Sequence, residues 1–294
     1  MSLSPGILLV DKPAGPTSHD VVAQIRRAAG IRRVGHAGTL DPFASGLLVI
    51  LLGQATRLAE YLLSLDKSYE ATAVLGVETS THDTEGEIVT ENPDWGSLSQ
   101  ADVEMALGKL QGSILQEPPR YSSKKVRGVA AHRRVRRGEE VVLEPVAVTV
   151  HAISLLDRSG PEIRFQVRCS SGTYIRALAR DLGRTLGVGA HLTGLVRTRI
   201  GAFCLDAAAG LEDLPDRAAV LERLMPPALA LSHLPSVDVD ASGAAKIRQG
   251  QHVSVEGSLP LEGEPVRILF EGQLLAMGAM EGGLLRPRKV LGNG

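Results

Sequence analysis

The chain has 294 residues, is 44% hydrophobic and carries a net charge of −1 at pH 7, enough to bury one large core and a small second unit. Cys169 and Cys204 have neither CxxC nor metal-ligand spacing, which argues against a disulfide scaffold and suits small buried thiols in a reducing cytosol. The longest uninterrupted apolar run, Leu47–Leu52, is too short to cross a bilayer, and no basic segment with a long apolar stretch opens the chain. A soluble cytoplasmic protein is expected.

Ile7–Val10 predicts a short strand. Thr17 or Ser18 then caps a helix with Val21, Val22 and Ile25 on one face, and Gly30 stops it. Leu47–Leu52 reads as a buried strand closed by Gly53, Thr56–Leu65 as a helix, and Tyr69–Gly76 alternates like a strand. Ser99 to Asp102 has capping-box spacing ahead of Val103, Ala106, Leu107 and Leu110, with Gly112 as the stop. Val146–Leu156 and Ile163–Cys169 are rich in strand formers, and Thr173–Leu186 is an amphipathic helix ended by Gly187. This irregular alternation predicts an α+β mixed sheet rather than a doubly wound or barrel fold. Asp206–Pro235 reads as a helix and linker. Short strands alone follow, at His252–Val255, Val266–Phe270, Leu274–Met280 and Leu284–Lys289. They predict a small all-β module, with domains at 1–230 and 231–294.

The near-zero net charge hides a segregation. Residues 78–104 carry eight acidic groups and no Lys or Arg, whereas residues 105–200 carry seventeen Lys and Arg against seven acids. Such a basic block is the footprint expected for a polyanion partner, although any single run such as Arg133–Arg137 is commonly no more than a solvated face. No GxxxxGK[ST] or GxGxxG occurs, and the eight histidines show no HxxxH or HExxH spacing. Neither a nucleotide cofactor nor a metal is therefore expected.

Asp41 stands in GHAGTLDPFASGLL, Gly35 to Leu48. Glycines on both sides allow close backbone approach, and Pro42 biases Leu40–Asp41 toward extended geometry. The loop presents one carboxylate at the lip of a sheet. This stretch resembles the nucleophile loop of the TruB family, the bacterial tRNA pseudouridine-55 synthases. Four further blocks match in the family's order: KPAGPTSHDVV (Lys12 to Val22), DKSYEATAVLGVETSTHDTEGEIV (Asp66 to Val89), EPPRYSSKKVRG (Glu117 to Gly128) and CSSGTYIRALARDLGRTLGVGAHLTGLVRT (Cys169 to Thr198). Two departures, the absence of an aromatic near His132 and the featureless stretch Glu91 to Gln100, leave the residues needed for chemistry intact.

The resemblance implies a pseudouridine-synthase catalytic domain followed by a PUA-like RNA-binding module ending in LRPRKVL. It implies isomerisation of uridine 55 in the T-arm loop of tRNA, with Asp41 as nucleophile and Arg176 as its ionic partner. It places Tyr69 as the aromatic that stacks on the flipped base and moves a proton, with His36, Tyr174 and Leu195 around the substrate. Lys12 and Pro13 read as braces beneath the Asp41 loop. Lys124, Lys125, Arg127, Arg133, Arg134, Arg136 and Arg137 read as phosphate contacts, which position RNA without reading its sequence. The expected partner is the T-arm stem-loop of tRNA, met by a monomer with no obligatory protein partner and no membrane. Three rivals are an enzyme of the same chemistry within a guide-RNA particle, a non-catalytic RNA-binding protein or tRNA folding chaperone, and a hydrolytic glycosidase. The last usually needs two carboxylates flanking the bond, and only one lies in the motif.

Overall fold

The structure, a computed structural model, describes residues 5–119, 121, 125–126, 129–130, 137, 139, 143–255 and 260–292. In chain order the first part contains β1 (Gly6–Lys12), α1 (Ser18–Ala29), β2 (Val34–His36), β3 (Ser45–Leu52), α2 (Ala59–Leu63), β4 (Lys67–Leu75), β5 (Val77–Thr79) and β6 (Ile88–Glu91). Then come α3 (Gln100–Lys109), β7 (Gly112–Gln116), the short pair β8 (Lys125–Val126) and β9 (Val129–Ala130), β10 (Val146–Ser159), β11 (Glu162–Cys169), α4 (Ile175–Leu186), β12 (Ala190–Ile200) and β13 (Phe203–Cys204). The last part holds α5 (Arg217–Glu222), α6 (Pro227–Ala230), β14 (Ser236–Asp238), α7 (Ala241–Arg248), β15 (Val266–Phe270), β16 (Gln273–Glu281) and β17 (Leu284–Val290).

The main sheet runs β1-β3-β12-β4-β11-β10-β7, with β2 on β3 and β13 on β12. The β3–β12 pair is parallel and its neighbours antiparallel, so the sheet is mixed, as the sequence predicts. The apolar run of β3 is buried on both faces. Leu47, Val49 and Leu51 join one core cluster, and Leu48, Ile50 and Leu52 join another with Val21, Val22 and Ile25 of α1. Burying each such side chain contributes about 1.5–3 kcal/mol, which makes β3 a stiff base for the loop that precedes it. Strands β4 and β11 bury alternate residues only. Tyr69, Ala71, Ala73 and Leu75 meet Ile163, Phe165 and Val167 beneath α3 and α4.

Gly46 is where this arrangement demands glycine. Its φ is +98°, and a Cβ there would lie 2.5 Å from the Arg197 carbonyl oxygen and 2.8 Å from its nitrogen, across the parallel pair. Gly46→Ala should therefore lower unfolding stability by about 3 kcal/mol or more, combining left-handed strain with a backbone clash. A urea midpoint equal to that of the parent chain would count against this packing.

Local rules set most boundaries. Thr17 and Ser99 form capping boxes with Asp20 and Asp102, and Gly30 and Gly187 end α1 and α4 in the left-handed conformation. Thr56–Leu65, expected as one helix, is instead a 3-10 segment Gly53–Leu58 followed by α2, whose trailing carbonyls at Leu63 and Leu65 take hydrogen bonds from Lys67 Nζ at 2.6 Å each. Gly112 does not stop α3. The helix ends at Lys109, and Gly112, with φ +101°, opens β7. Asp206–Pro235 is more than a linker, since the main chain at Ala209 and Met225 pairs with β1 and covers the sheet's outer edge.

The C-terminal sheet runs β14-β15-β16-β17. One helix, α7, interrupts what the sequence suggested would be strands only. It is capped by the Asp240 side chain on the Gly243 N–H and buries Ala244 and Ile247 against this sheet. Around Val253 there is only an isolated bridge to Leu285 rather than a strand. The module is not a bead on a tether. Leu274, Met277 and Leu291 lie in the same core cluster as Leu47, Val49 and Leu51 of β3. Lys289 Nζ adds contacts to Glu60 at 2.7 Å and to the Arg57 carbonyl at 2.9 Å.

Candidate active site

The loop between β2 and β3 carries Asp41, and its main chain is held from three sides. Lys12 Nζ, fully buried, donates to the carbonyls of Pro13 and Pro16 at 2.8 Å and of Pro42 at 3.4 Å. The Ser18 hydroxyl donates to the Leu40 carbonyl at 3.1 Å and accepts from the Leu40 N–H at 2.9 Å. Arg197, 1% exposed, donates from Nη2 to Gly38, from Nη1 to Thr39 and from Nε to Leu47. Every constraint falls on carbonyls and N–H groups, which fixes the loop while leaving the Asp41 carboxylate free for other work. Burial pushes the Lys12 amine down to about 8, with Asp41 drawing it back up.

Asp41 faces Arg176 of α4. Arg176 Nε lies 2.9 Å from Asp41 Oδ2, and its Nη1 lies 3.1 Å from Asp83 Oδ2. The Arg176 side chain is 5% exposed and that of Asp41 37%, so the cation is sealed while the carboxylate opens onto solvent. The remaining guanidinium N–H groups reach the carbonyls of Thr81 and Tyr121 at 3.1 and 2.9 Å. Burial raises the Asp41 carboxyl above its ordinary range. Arg176 opposes that, and the like charge of Asp83 adds to it. Asp83 is itself fixed by the Thr81 hydroxyl and the Glu85 N–H. One arginine thus serves two carboxylates, of which only Asp41 faces the open side.

Helix α4 is aimed by a side chain far away in sequence. Tyr174, its N-cap, makes no side-chain cap bond, but its N–H donates to Gln116 Oε1 at 2.8 Å and its carbonyl accepts from Gln116 Nε2 at 3.1 Å. This buried amide fixes the helix entry two residues before Arg176.

Tyr69 and Leu195 sit on adjacent strands and in one cluster with Leu40, against which Phe43 also packs. Arg197 stands opposite Tyr69 in the β4–β12 register, so both side chains project from the same face. Burial raises the Tyr69 hydroxyl above its usual range, while the positive charge of Arg197 moderates the rise. His36 closes β2 with its ring edge-on to His19 at 5.4 Å. Burial, with His19 and Arg197 in the same direction, lowers it to about 4. It is neutral at pH 7 and better suited to a base edge than to a phosphate.

The structure therefore brings Asp41, Arg176, Tyr69 and Leu195 to one place, with His36 on the strand leading into the Asp41 loop and Tyr174 at the mouth of α4. The expected phosphate contacts are mostly beyond its reach. Lys124, Arg127, Arg133, Arg134 and Arg136 lie outside the described residues, Lys125 belongs to β8, and Arg137 is exposed. Three residues of the site escape a reading of the sequence: Asp83, Arg197 and Gln116. Asp83 offers a faint signal, a Thr-x-Asp turn just after a strand. Arg197 and Gln116 offer none, because a buried arginine or glutamine is written like an exposed one. Among the described residues no group of three or more His, Cys, Asp or Glu is placed to hold a metal ion, and no helix is long and apolar enough to cross a membrane.

Three family models match: TruB family pseudouridylate synthase, N-terminal domain, over residues 26–175; tRNA pseudouridylate synthase B C-terminal domain over 176–230; and pseudouridine synthase II TruB, C-terminal, over 235–291. The chain is 44% identical over 97% of its length to the tRNA pseudouridine synthase B of Thermobifida fusca, covering 98% of that protein. It is 49% identical over 83% of its length to that of Symbiobacterium thermophilum, covering 82%. Among solved structures, a protein of an H/ACA RNP bound to a substrate RNA containing 2'-deoxyuridine superposes with a TM-score of 0.75 at 27% identity, over 97% of this chain and 84% of that one.

Proposed function

The chain belongs to the TruB family of pseudouridylate synthases, and from that premise we propose that it converts uridine 55 in the T-arm loop of tRNA to pseudouridine with Asp41 as nucleophile. The Asp41–Arg176 pair carries this reading, a carboxylate open to solvent whose cation is buried and held by contacts to Asp83 and to the carbonyls of Thr81 and Tyr121. A base within a folded loop must be extruded to be reached, and Tyr69 and Leu195 supply the apolar walls on which it would stack. The reaction breaks the N-glycosidic bond, forms a bond from the sugar to carbon 5 of the same uracil, sheds the proton of that carbon and returns one to nitrogen. It is balanced within the substrate, so no redox or nucleotide cofactor is called for. Asp41, kept ionised by Arg176, supplies the nucleophile for the first half. The Tyr69 hydroxyl supplies a proton carrier for the second. Residues 231–294 act as the RNA-binding module, and the enzyme works in the cytoplasm on free tRNA as a monomer.

Unmodified tRNA transcript incubated with the purified protein and EDTA should gain pseudouridine at the T-loop position, and a transcript with that uridine replaced should gain none. Loss of turnover on chelation, restored by a defined metal, would contradict a cofactor-free reaction. A non-catalytic RNA-binding protein would leave the transcript unchanged.

Tyr69→Phe keeps the ring and deletes the hydroxyl. With tRNA saturating it should slow a single turnover by about 10²–10⁴-fold, the range for a lost general acid–base group, while binding stays near the parent value. A Phe variant as fast as the parent would confine Tyr69 to stacking.

Replacing Arg133, Arg134, Arg136 and Arg137 together by Ala should weaken tRNA binding and flatten the slope of log affinity against log salt, with little change in the chemical step at saturation. An unchanged slope would mark the run as a solvated face.

A further inference from the structure

Arg197 is among the largest fully buried side chains of the protein. Removing a guanidinium from water costs several kcal/mol unless its donors are all used. Within the described residues its hydrogen-bond partners are three main-chain carbonyls, of Gly38, Thr39 and Leu47, rather than a carboxylate, and it stands opposite Tyr69 in the β4–β12 register with its side chain on the same face. Those carbonyls belong to the Asp41 loop and the start of β3. Tyr69 belongs to β4, and Arg197 follows the pocket residue Leu195 by two positions on β12. Gly46 leaves room for this approach, since any Cβ there would strike the Arg197 main chain. Main-chain carbonyls can be satisfied by a neutral donor, so these three contacts do not by themselves call for a cation here.

We propose that Arg197 is a positioning residue for the reaction, its guanidinium locking the Tyr69 hydroxyl to the Asp41 loop so that nucleophile and proton carrier keep one fixed spacing around the base. An N–H donated to the phenol oxygen occupies one of its lone pairs. The O–H is then directed away from Arg197, toward the pocket, and negative charge on that oxygen is stabilised when its proton leaves. The three carbonyl contacts keep the guanidinium itself from following the hydroxyl. This inference rests on the reading of Tyr69 as the proton carrier.

The test is a double-mutant cycle with single-turnover rates at saturating unmodified tRNA, using Arg197→Met, Arg197→Lys and Tyr69→Phe. Arg197→Met should slow the chemical step by about 10²-fold, with the tRNA Kd changed by no more than about threefold. Arg197→Lys, which keeps a donor for the phenol, should recover about tenfold of that loss. In the Tyr69→Phe background both Arg197 variants should add less than about threefold, because the hydroxyl is already gone and Lys12 and Ser18 still hold the Asp41 loop. Losses that multiply in the double variants, or a Kd that rises in step with the lost rate, would overturn the proposal in favour of a purely structural arginine. Should Arg197→Met fail to fold, Arg197→Lys against Tyr69→Phe decides by the same criterion. Failure of the underlying reading looks different: Tyr69→Phe alone would turn over at the parent rate.

Discussion

Asp41→Asn is expected to abolish pseudouridine formation while leaving tRNA affinity within a few-fold of the parent value. The amide has nearly the shape of the carboxylate but is no nucleophile, so a step that needs covalent or basic participation at this atom has no substitute. The loop should survive the change, because the hydrogen bonds by which Lys12, Ser18 and Arg197 hold it go to main-chain atoms and not to the Asp41 side chain. The variant should also bind tRNA without releasing a modified product, and so serve as a trap for the extruded base. Quantifying pseudouridine in the T loop after long incubation checks this. Turnover at the parent rate would remove Asp41 from the mechanism.

Arg176→Met should lower the single-turnover rate by about 10³-fold, or ~4 kcal/mol of transition-state stabilisation, and should also weaken the fold. The cation now shared by Asp41 and Asp83 disappears, leaving a buried Asp83 carboxylate without its ion pair and a like charge on Asp41 nearby. The sign of the pH effect follows. In the parent protein burial already raises the folded-state Asp41 pKa above its unfolded value, and Arg176 restrains that rise. Without Arg176 the folded-state value climbs further. The charged form then costs stability above the unfolded-state pKa, and the cost is relieved as pH falls through the folded-state value. The variant should thus be less stable than the parent at pH 7 by about 3–5 kcal/mol and recover part of that deficit as the solution is acidified. Residual activity should show the converse, its acid limb displaced to higher pH because Asp41 must be ionised to act. Thermal unfolding at several pH values and a single-turnover pH profile test both signs. A stability deficit that grew on acidification would contradict the shared-cation arrangement.

Much of the frame is legible in the residues themselves. Capping boxes at Thr17 and Ser99 and left-handed glycines at Gly30 and Gly187 act through neighbours three or four positions away, so they read the same in a sequence as in a fold. The apolar run of β3 and the alternation of β4 likewise announce a strand buried on both faces and one buried on a single face. Asp41, Tyr69 and Arg176 likewise stand in motifs whose order is visible in the sequence. Where local signals compete, the sequence misleads. Thr56–Leu65 has helical periodicity, yet its start lies in a 3-10 segment and Lys67 takes the carbonyls at its end. Helix α7 hides in a stretch poor in large apolar residues because Asp240 and the C-terminal sheet supply what its own pattern lacks.

What only the tertiary structure decides is the partnership of groups distant along the chain. The sequence alone determined that one carboxylate stands on a glycine-bounded loop before a buried strand, and that an arginine opens a later helix. Three-dimensional packing decided that Asp83 shares that arginine, that Gln116 aims the helix carrying it, and that Arg197, bonded to the Asp41 loop, stands opposite Tyr69. It also decided that the C-terminal sheet shares a core with β3 instead of hanging from a linker. The physical reason is common to all four. A hydrogen bond or an apolar contact depends on separation in space, and here that separation is set by strand register and sheet order, which join residues from 58 to more than 150 positions apart.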